Sequence, residues 1–354
     1  MYIKIYSSEL NRMMKTITQC IDQRDISNKA NICITHDNNL LAIRGSNGTF
    51  SAVLTTPVLG GTGESFCVDG TMFARVCAMC NGEISIVTDE KTCTVKGVGR
   101  TKLPIVNAKI PAIERVNGNT VTVCGEYFTR CYVHVAYAIS TDLGRVQLTG
   151  VQTESDGQSL KMVALDGFQM AVDETPCEGD SFKVIIPGAF MKLITTGLCS
   201  GEDVKITTDG HFVQAETDGM LMRAGLLAGE FPDYTRLIPT DFKTSAKVNV
   251  EAVRNALKAG NAVNNKQNLV KLEVTENDIT IRNNSEQAEF EAVIACVGRG
   301  DALKIAFNDR YLLNTINSFD AEEVALNFNS SVSPMIVNEF DKRGLRLVLP
   351  VRVQ

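Results

Sequence analysis

The chain has 354 residues, 44% of them hydrophobic and 21% charged, with a net charge of −6. That composition is ordinary for a folded chain with real cores, and no apolar run approaches the ~20 residues that cross a bilayer. The acidic balance argues against a uniformly basic nucleic-acid binder, but it leaves room for basic residues gathered on one face.

The first residues, Met1-Tyr2-Ile3-Lys4-Ile5-Tyr6, alternate like a strand and lack the apolar block and cleavage site of a signal peptide. With eleven scattered cysteines and no export signal, the expectation is a cytoplasmic chain whose reduced thiols serve as small buried apolar groups. Leu10, Met13, Met14, Ile17 and Ile21 then fall at helical spacing, with Arg12, Lys15, Thr16 and Gln19 on the other face. A strand at residues 40–45 follows. Gly60-Gly61-Thr62-Gly63 lacks the Lys-Ser/Thr of a phosphate loop and reads as a surface turn. A second amphipathic segment opens at Val68-Asp69-Gly70-Thr71-Met72-Phe73. It carries Cys77-Ala78-Met79-Cys80, a single C-x-x-C with no second pair or nearby His, so helical burial outweighs a zinc reading. A strand opens at Asn81-Gly82-Glu83-Ile84-Ser85-Ile86, and Thr88-Asp89-Glu90-Lys91 reads as a hairpin turn.

The same order then returns twice. Residues 125–139 carry Phe128, Cys131, Tyr132, Val135 and Ile139 as a helical stripe, followed by a strand at 160–165 that turns at Asp166-Gly167. Ile186-Pro187-Gly188-Ala189-Phe190 opens the next helix, and Thr207-Thr208-Asp209-Gly210-His211 is the next hairpin turn. In the last third, Val250, Val253, Ala256 and Leu257 form the stripe, with Arg254 and Lys258 at i,i+4 on the outer face. A strand at 279–282 is expected to turn at Asn283-Asn284, and Phe307-Asn308-Asp309-Arg310-Tyr311 opens a final helix. The spacing of roughly 120 residues is too long for a solenoid repeat and suits one small domain. The chain therefore reads as an α+β protein of three tandem domains, each with two helices against antiparallel sheet, bounded at 1–118, 119–243 and 244–354.

No repeated chemistry accompanies the repeated fold. His36, His134 and His211 fall in unlike contexts and read as solvated or structural groups. Arg299-Gly300-Asp301 reads as a turn before a strand, and no motif marks a paired acid and base. Neither a catalytic centre, a metal nor a cofactor is expected.

Two stretches say more: Gly229-Glu230-Phe231-Pro232-Asp233-Tyr234-Thr235-Arg236-Leu237-Ile238-Pro239, and Leu345-Arg346-Leu347-Val348-Leu349-Pro350-Val351-Arg352-Val353. Both resemble the bacterial sliding clamp, the beta subunit of DNA polymerase III. Residues 163–171 are similar to that family's A-T-D-G-H-R-L-A segment, 145–151 to its R-P-V-L-T-G-V, and 307–313 to its F-N-x-x-Y-L-L. The resemblance runs along the whole chain in order.

What the resemblance implies is a clamp fold with helices inside and sheets outside, closing head to tail with a second copy into a dimeric ring. The function implied is that of a non-catalytic processivity factor in DNA replication, which encircles double-stranded DNA without regard to sequence. Arg12, Lys15, Arg75, Arg130, Lys192, Arg254, Lys258 and Arg310 would line the hole, and Arg24 and Arg145 fall where the family has DNA-contacting arginines. A hydrophobic cleft would dock short linear peptides of the polymerase, the clamp loader and repair proteins. It would comprise Leu148, Leu165, Gly167, Phe168, Met170, Pro232, Arg236, Leu237, Leu347, Leu349, Pro350, Val351 and Arg352. Residues 349–354 would form one wall, opposite Phe168 and Met170. Three departures stand out: Phe168-Gln169-Met170 replaces the family's His-Arg-Leu, Val146-Gln147 stands where some members have an aromatic pair, and Thr101 where some members have a buried Phe. The alternative is a clamp-fold interaction scaffold that does not encircle DNA and has no reason to keep basic helix faces.

Overall fold

A computed structural model describes residues 1–21, 30–263, 268–339 and 344–352. Six α-helices lie among them: α1 (Ser7–Ile17), α2 (Gly70–Ala78), α3 (Gly125–Ala136), α4 (Gly188–Gly197), α5 (Val250–Asn261) and α6 (Asp309–Asn317). The strand pairings that frame each third are antiparallel, so the architecture is α+β, as the alternation of short strands and helices dictates.

The element order recurs in each third. A strand leads directly into α1, α3 and α5, and another leads into α2, α4 and α6. Three of these entries are capped by their last strand residue. The Asp69 side chain accepts from the Met72 amide, Asn249 accepts from that of Ala252, and Asn308 accepts from those of Arg310 and Tyr311. In every third the opening strand pairs with the strand after the second helix, setting Ile3 opposite Ile86, Val121 opposite Ile206 and Ala246 opposite Leu326. The inward stripes are buried as their periodicity requires: Leu10, Met13, Met14 and Ile17 on α1, Phe128, Cys131 and Val135 on α3, and Val253, Ala256 and Leu257 on α5.

The described chain forms two compact units. The first holds residues 1–129, 155–158 and 176–226, and the second holds 130–154, 159–175 and 227–354. The division passes through the middle third because that third's strands are shared out. In the first unit, Met220–Gly225 closes the middle third and pairs with Phe50–Pro57, setting Met222 opposite Ala52. In the second unit, Leu345–Val348 pairs in the same way with Gln169–Pro176, setting Leu347 opposite Met170. The last strand of one third thus joins the corresponding strand of the preceding third, twice over. Arg100–Pro104 closes the first third and pairs, among the described residues, only with Thr92–Lys96. The last third's counterpart of Phe50–Pro57 and Gln169–Pro176 is Glu289–Gly300, where residues 289–295 pair on one side only among the described residues.

Three local expectations are corrected. Gly60–Thr62 is a short strand on Tyr2–Tyr6, not a surface turn, and a Cβ on Gly61 would come within 2.7 Å of the Tyr2 carbonyl oxygen. Asn283 and Asn284 end a strand, and the chain reverses one step later, where the Ser285 amide donates to the Ala288 carbonyl at 2.9 Å. The α3 helix stops at Ala136, short of the expected Ile139.

Candidate functional site

The candidate DNA-facing cations sort by exposure. Lys15 on α1, Arg75 on α2, Arg130 on α3, Lys192 on α4, Lys258 on α5 and Arg310 on α6 are all exposed, so each helix presents one solvent-facing cation opposite its buried stripe. Arg12 is half-buried, and its guanidinium lies 3.2 Å from Glu9. Arg254 departs from the expected open face. It pairs with Glu251, and its Nη2 donates to the Phe319 carbonyl at 3.2 Å, which ties the side chain to the loop after α6. Arg145 lies on a 3-10 segment, Leu143–Thr149, where its Nε donates to Asp142 at 3.2 Å. Its guanidinium lies beside Gly167, so the structure places it with the candidate cleft. Arg24 falls outside the described residues.

The candidate cleft residues all lie in the second unit. Asp166-Gly167 makes the expected turn. Gly167 has φ +99°, a conformation other residues adopt at a cost, and the Asp166 carboxylate accepts the Phe168 amide at 2.7 Å and the Gln169 amide at 2.9 Å. This turn pushes Phe168 outward, where it is 54% exposed and stacks on Tyr311 with ring centroids 5.6 Å apart. The tail then crosses in front of it: the Leu349 amide donates to the Phe168 carbonyl at 2.9 Å, and the Val351 amide to the Ala306 carbonyl at 2.8 Å. Leu349 and Val351 are 37% and 39% exposed, and Leu237, on the 3-10 turn Tyr234–Leu237, is 48% exposed. Pro232 and Arg352 are open, Pro350 is half-buried, and Arg236 is exposed and bonded to Asp233 at 2.8 Å.

Leu148, Leu165, Met170 and Leu347 are buried, at 2%, 6%, 1% and 3% exposure. They form a floor under the surface and are not open contact groups. Met170 and Leu347 face each other across the strand joint, so the expected opposition of tail to Met170 is corrected to an opposition of tail to Phe168.

Beneath this surface lies a polar clasp. Arg346 is buried next to Leu347, and its Nη1 donates to the Val172 carbonyl at 2.7 Å and its Nε to the Ser318 hydroxyl at 3.1 Å. Its Nη2 lies 3.5 Å from Asp173. His134 is also buried, with Nδ1 on Asp173 and Nε2 3.0 Å from Asp320. Burial alone would raise the Asp173 carboxyl. The His134 hydrogen bond and the Arg346 charge outweigh it and hold the group below its ordinary value. The structural reading of His134 therefore stands.

The cysteines and the other two histidines are placed as follows. Cys77 and Cys80 are buried, and among the described residues no group of three His, Cys, Asp or Glu could hold a metal. Burial pushes the Cys20 and Cys93 thiols up to about 12, far from a reactive thiolate. His36 is buried, and His211 is exposed at its hairpin turn. No helix among the described residues is long and apolar enough to cross a membrane. Tyr311, which stacks on Phe168, is not among the residues expected from the sequence. Its signal was the aromatic in Phe307-Asn308-Asp309-Arg310-Tyr311, one helical turn from a capping Asn308.

Residues 235–352 match the family model described as DNA polymerase III beta subunit, C-terminal domain, and residues 122–233 match the central domain of the same subunit. A beta sliding clamp of Streptomyces coelicolor is 27% identical over 306 residues, covering 81% of each chain. One of Bacillus subtilis is 31% identical over 139 residues, 38% of this chain and 37% of that protein. Among solved structures, the DNA polymerase III beta subunit of Thermotoga maritima covers the full length of both chains at 21% identity with a TM-score of 0.92. A sliding clamp of Pseudomonas aeruginosa bound to griselimycin does so at 22% identity with a TM-score of 0.92.

Proposed function

The chain belongs to the DNA polymerase III beta subunit family, and from that premise we propose how it works as a DNA sliding clamp. It is a non-catalytic subunit that holds a polymerase on double-stranded DNA by enclosing the duplex. The observation that carries this reading is the single exposed cation on each of the six helices, in a chain whose net charge is −6. Such a placement suits helices that face a polyanion. The contacts are with phosphate, and therefore indifferent to sequence and weakened by salt.

Domain boundaries at 1–118, 119–243 and 244–354 are supported by the recurring element order. Closure follows from the two equivalent strand joints within the chain. The same joint has two unfilled halves, the free edge of Arg100–Pro104 and that of residues 289–295. A second copy supplies both, giving a homodimer with first third against last and two-fold symmetry. Phe168, Leu237, Leu349 and Val351 then form the contact surface for linear peptides of polymerase, loader and repair proteins, in the cytoplasm. This surface carries an aromatic stack where the resemblance leads one to expect a histidine.

Light scattering at micromolar concentration, followed by retention on nicked circular and on linearised DNA, tests the proposal. A dimer retained on the circle and lost from the linear form is expected. A strict monomer, or equal retention on both, would overturn it.

A further inference from the structure

A pocket borders the tail at Val351 and Arg352. Its volume is about 580 Å³, within the range of ligand pockets, and Lys271, Arg282, Lys304 and Arg352 line it together with one carboxylate, Glu273. Glu273 is already engaged by Arg282 at 2.8 Å and Lys304 at 3.1 Å, and Arg282 also meets Glu291 at 2.5 Å. Lys271 and Arg352 are exposed and make no ion pair among the described residues. Val332 and Val351, 59% and 39% exposed, add an apolar wall. The pocket thus offers spare positive charge beside open aliphatic surface.

Its position is as informative as its lining. Leu349 is pinned to Phe168 and Val351 to Ala306, so the same stretch of tail borders the cleft at one end and the pocket at the other. At about 3.3 Å per extended residue, a peptide lying against Leu349 reaches the pocket with two or three further residues.

We propose that this pocket receives an acidic segment with one aliphatic side chain, flanking the apolar anchor of the same partner peptide. The proposal rests on the cleft reading above. The carboxylates answer Lys271 and Arg352, and the aliphatic group covers Val332 and Val351. A nucleic-acid phosphate would use the charge and leave the apolar wall open to water.

Fluorescence anisotropy on the full-length protein decides the matter, with two labelled synthetic peptides. One is a Leu- and Phe-containing anchor, and the other is that anchor extended by Asp-Leu-Glu. At low ionic strength the extension should tighten binding roughly five- to tenfold, with the gain fading as salt is added. Lys271→Glu with Lys304→Glu should abolish the gain and leave the anchor's affinity unchanged. Lys271→Glu alone, which disturbs no ion pair, should remove a large part of it. No gain in the unaltered protein, or a gain that survives both variants, overturns the proposal. So does a charge reversal that lowers retention on circular DNA and spares both peptides, which would make the pocket a DNA surface. Phe168→Ala should weaken both peptides alike. If it weakens neither, the cleft reading falls first, and by a separate measurement.

Discussion

Replacing Phe168 with Ala isolates the contact surface from the fold. An aromatic side chain offers roughly 200 Å², and Phe168 leaves 54% of its surface open. A peptide that covered all of this would bury about 110 Å², worth about 2.7 kcal/mol at about 25 cal/mol per Å². That is close to a hundredfold in affinity, and partial coverage brings the expectation down toward tenfold. The fold should lose little. The turn is made by the Asp166 carboxylate and the Gly167 backbone, and Leu349 bonds to the Phe168 carbonyl, all of which Ala retains. Only the stack on Tyr311 disappears, at a cost of about 0.5–1.5 kcal/mol. Anisotropy titration with a polymerase-type peptide, beside a urea melt, measures both quantities. A dissociation constant within twofold of the parent, with the fold intact, would refute the placement of the cleft at Phe168.

Deleting residues 349–354, of which 353 and 354 lie outside the described residues, should abolish peptide binding and leave the dimer whole, as sizing would show. Lys192→Glu with Lys258→Glu should lower retention on circular DNA, less so at higher salt, without changing the melting transition. Arg254→Glu should instead destabilise the fold, because it removes the donor to Phe319. Arg346→Met leaves Asp173 without its nearby guanidinium and should cost about 3–5 kcal/mol in chemical denaturation. The Asp173 carboxyl is held below its ordinary value of ~4, so its stabilising contribution is complete above that pH and is lost as pH falls through the lower folded value. Asp173→Asn and the parent should therefore differ at neutral pH and converge in acid.

Local signals carried most of the helices. The stripe of Leu10, Met13, Met14 and Ile17 is a property of one segment, and so is the Asp166-Gly167 turn, which needs only a side-chain acceptor and a residue tolerant of positive φ. The surroundings of other residues have a different origin. Arg254 is tied to a carbonyl 65 residues away, Arg145 lies beside Gly167, and Met170 is covered because Leu347 pairs with it from the far end of the chain. No local periodicity encodes such partners. Asn283-Asn284 was a fair turn signal, but the ladder with residues 289–295 extends through it, so tertiary pairing overrode a local preference. The exposure of one cation per helix was legible only as a stripe's complement, and the aromatic stack on Tyr311 required knowing that two distant segments meet.

The strand joint occurs twice inside the chain and, on the proposed assembly, twice more between copies. The inner joints are covalently tethered. Tethering gives each an effective concentration on the order of millimolar, whatever the amount of protein present. The outer joints have only the free concentration of a second molecule to draw on. With similar contacts at every seam, dilution or a pulling partner parts the assembly at Arg100–Pro104 and residues 289–295 long before Met222 leaves Ala52 or Leu347 leaves Met170. On that assembly, the place where a ring would admit DNA is set by where the polypeptide is not continuous, and the grip of the seam would be tuned through its edge residues, Arg100, Thr101 and Lys102, without touching any core.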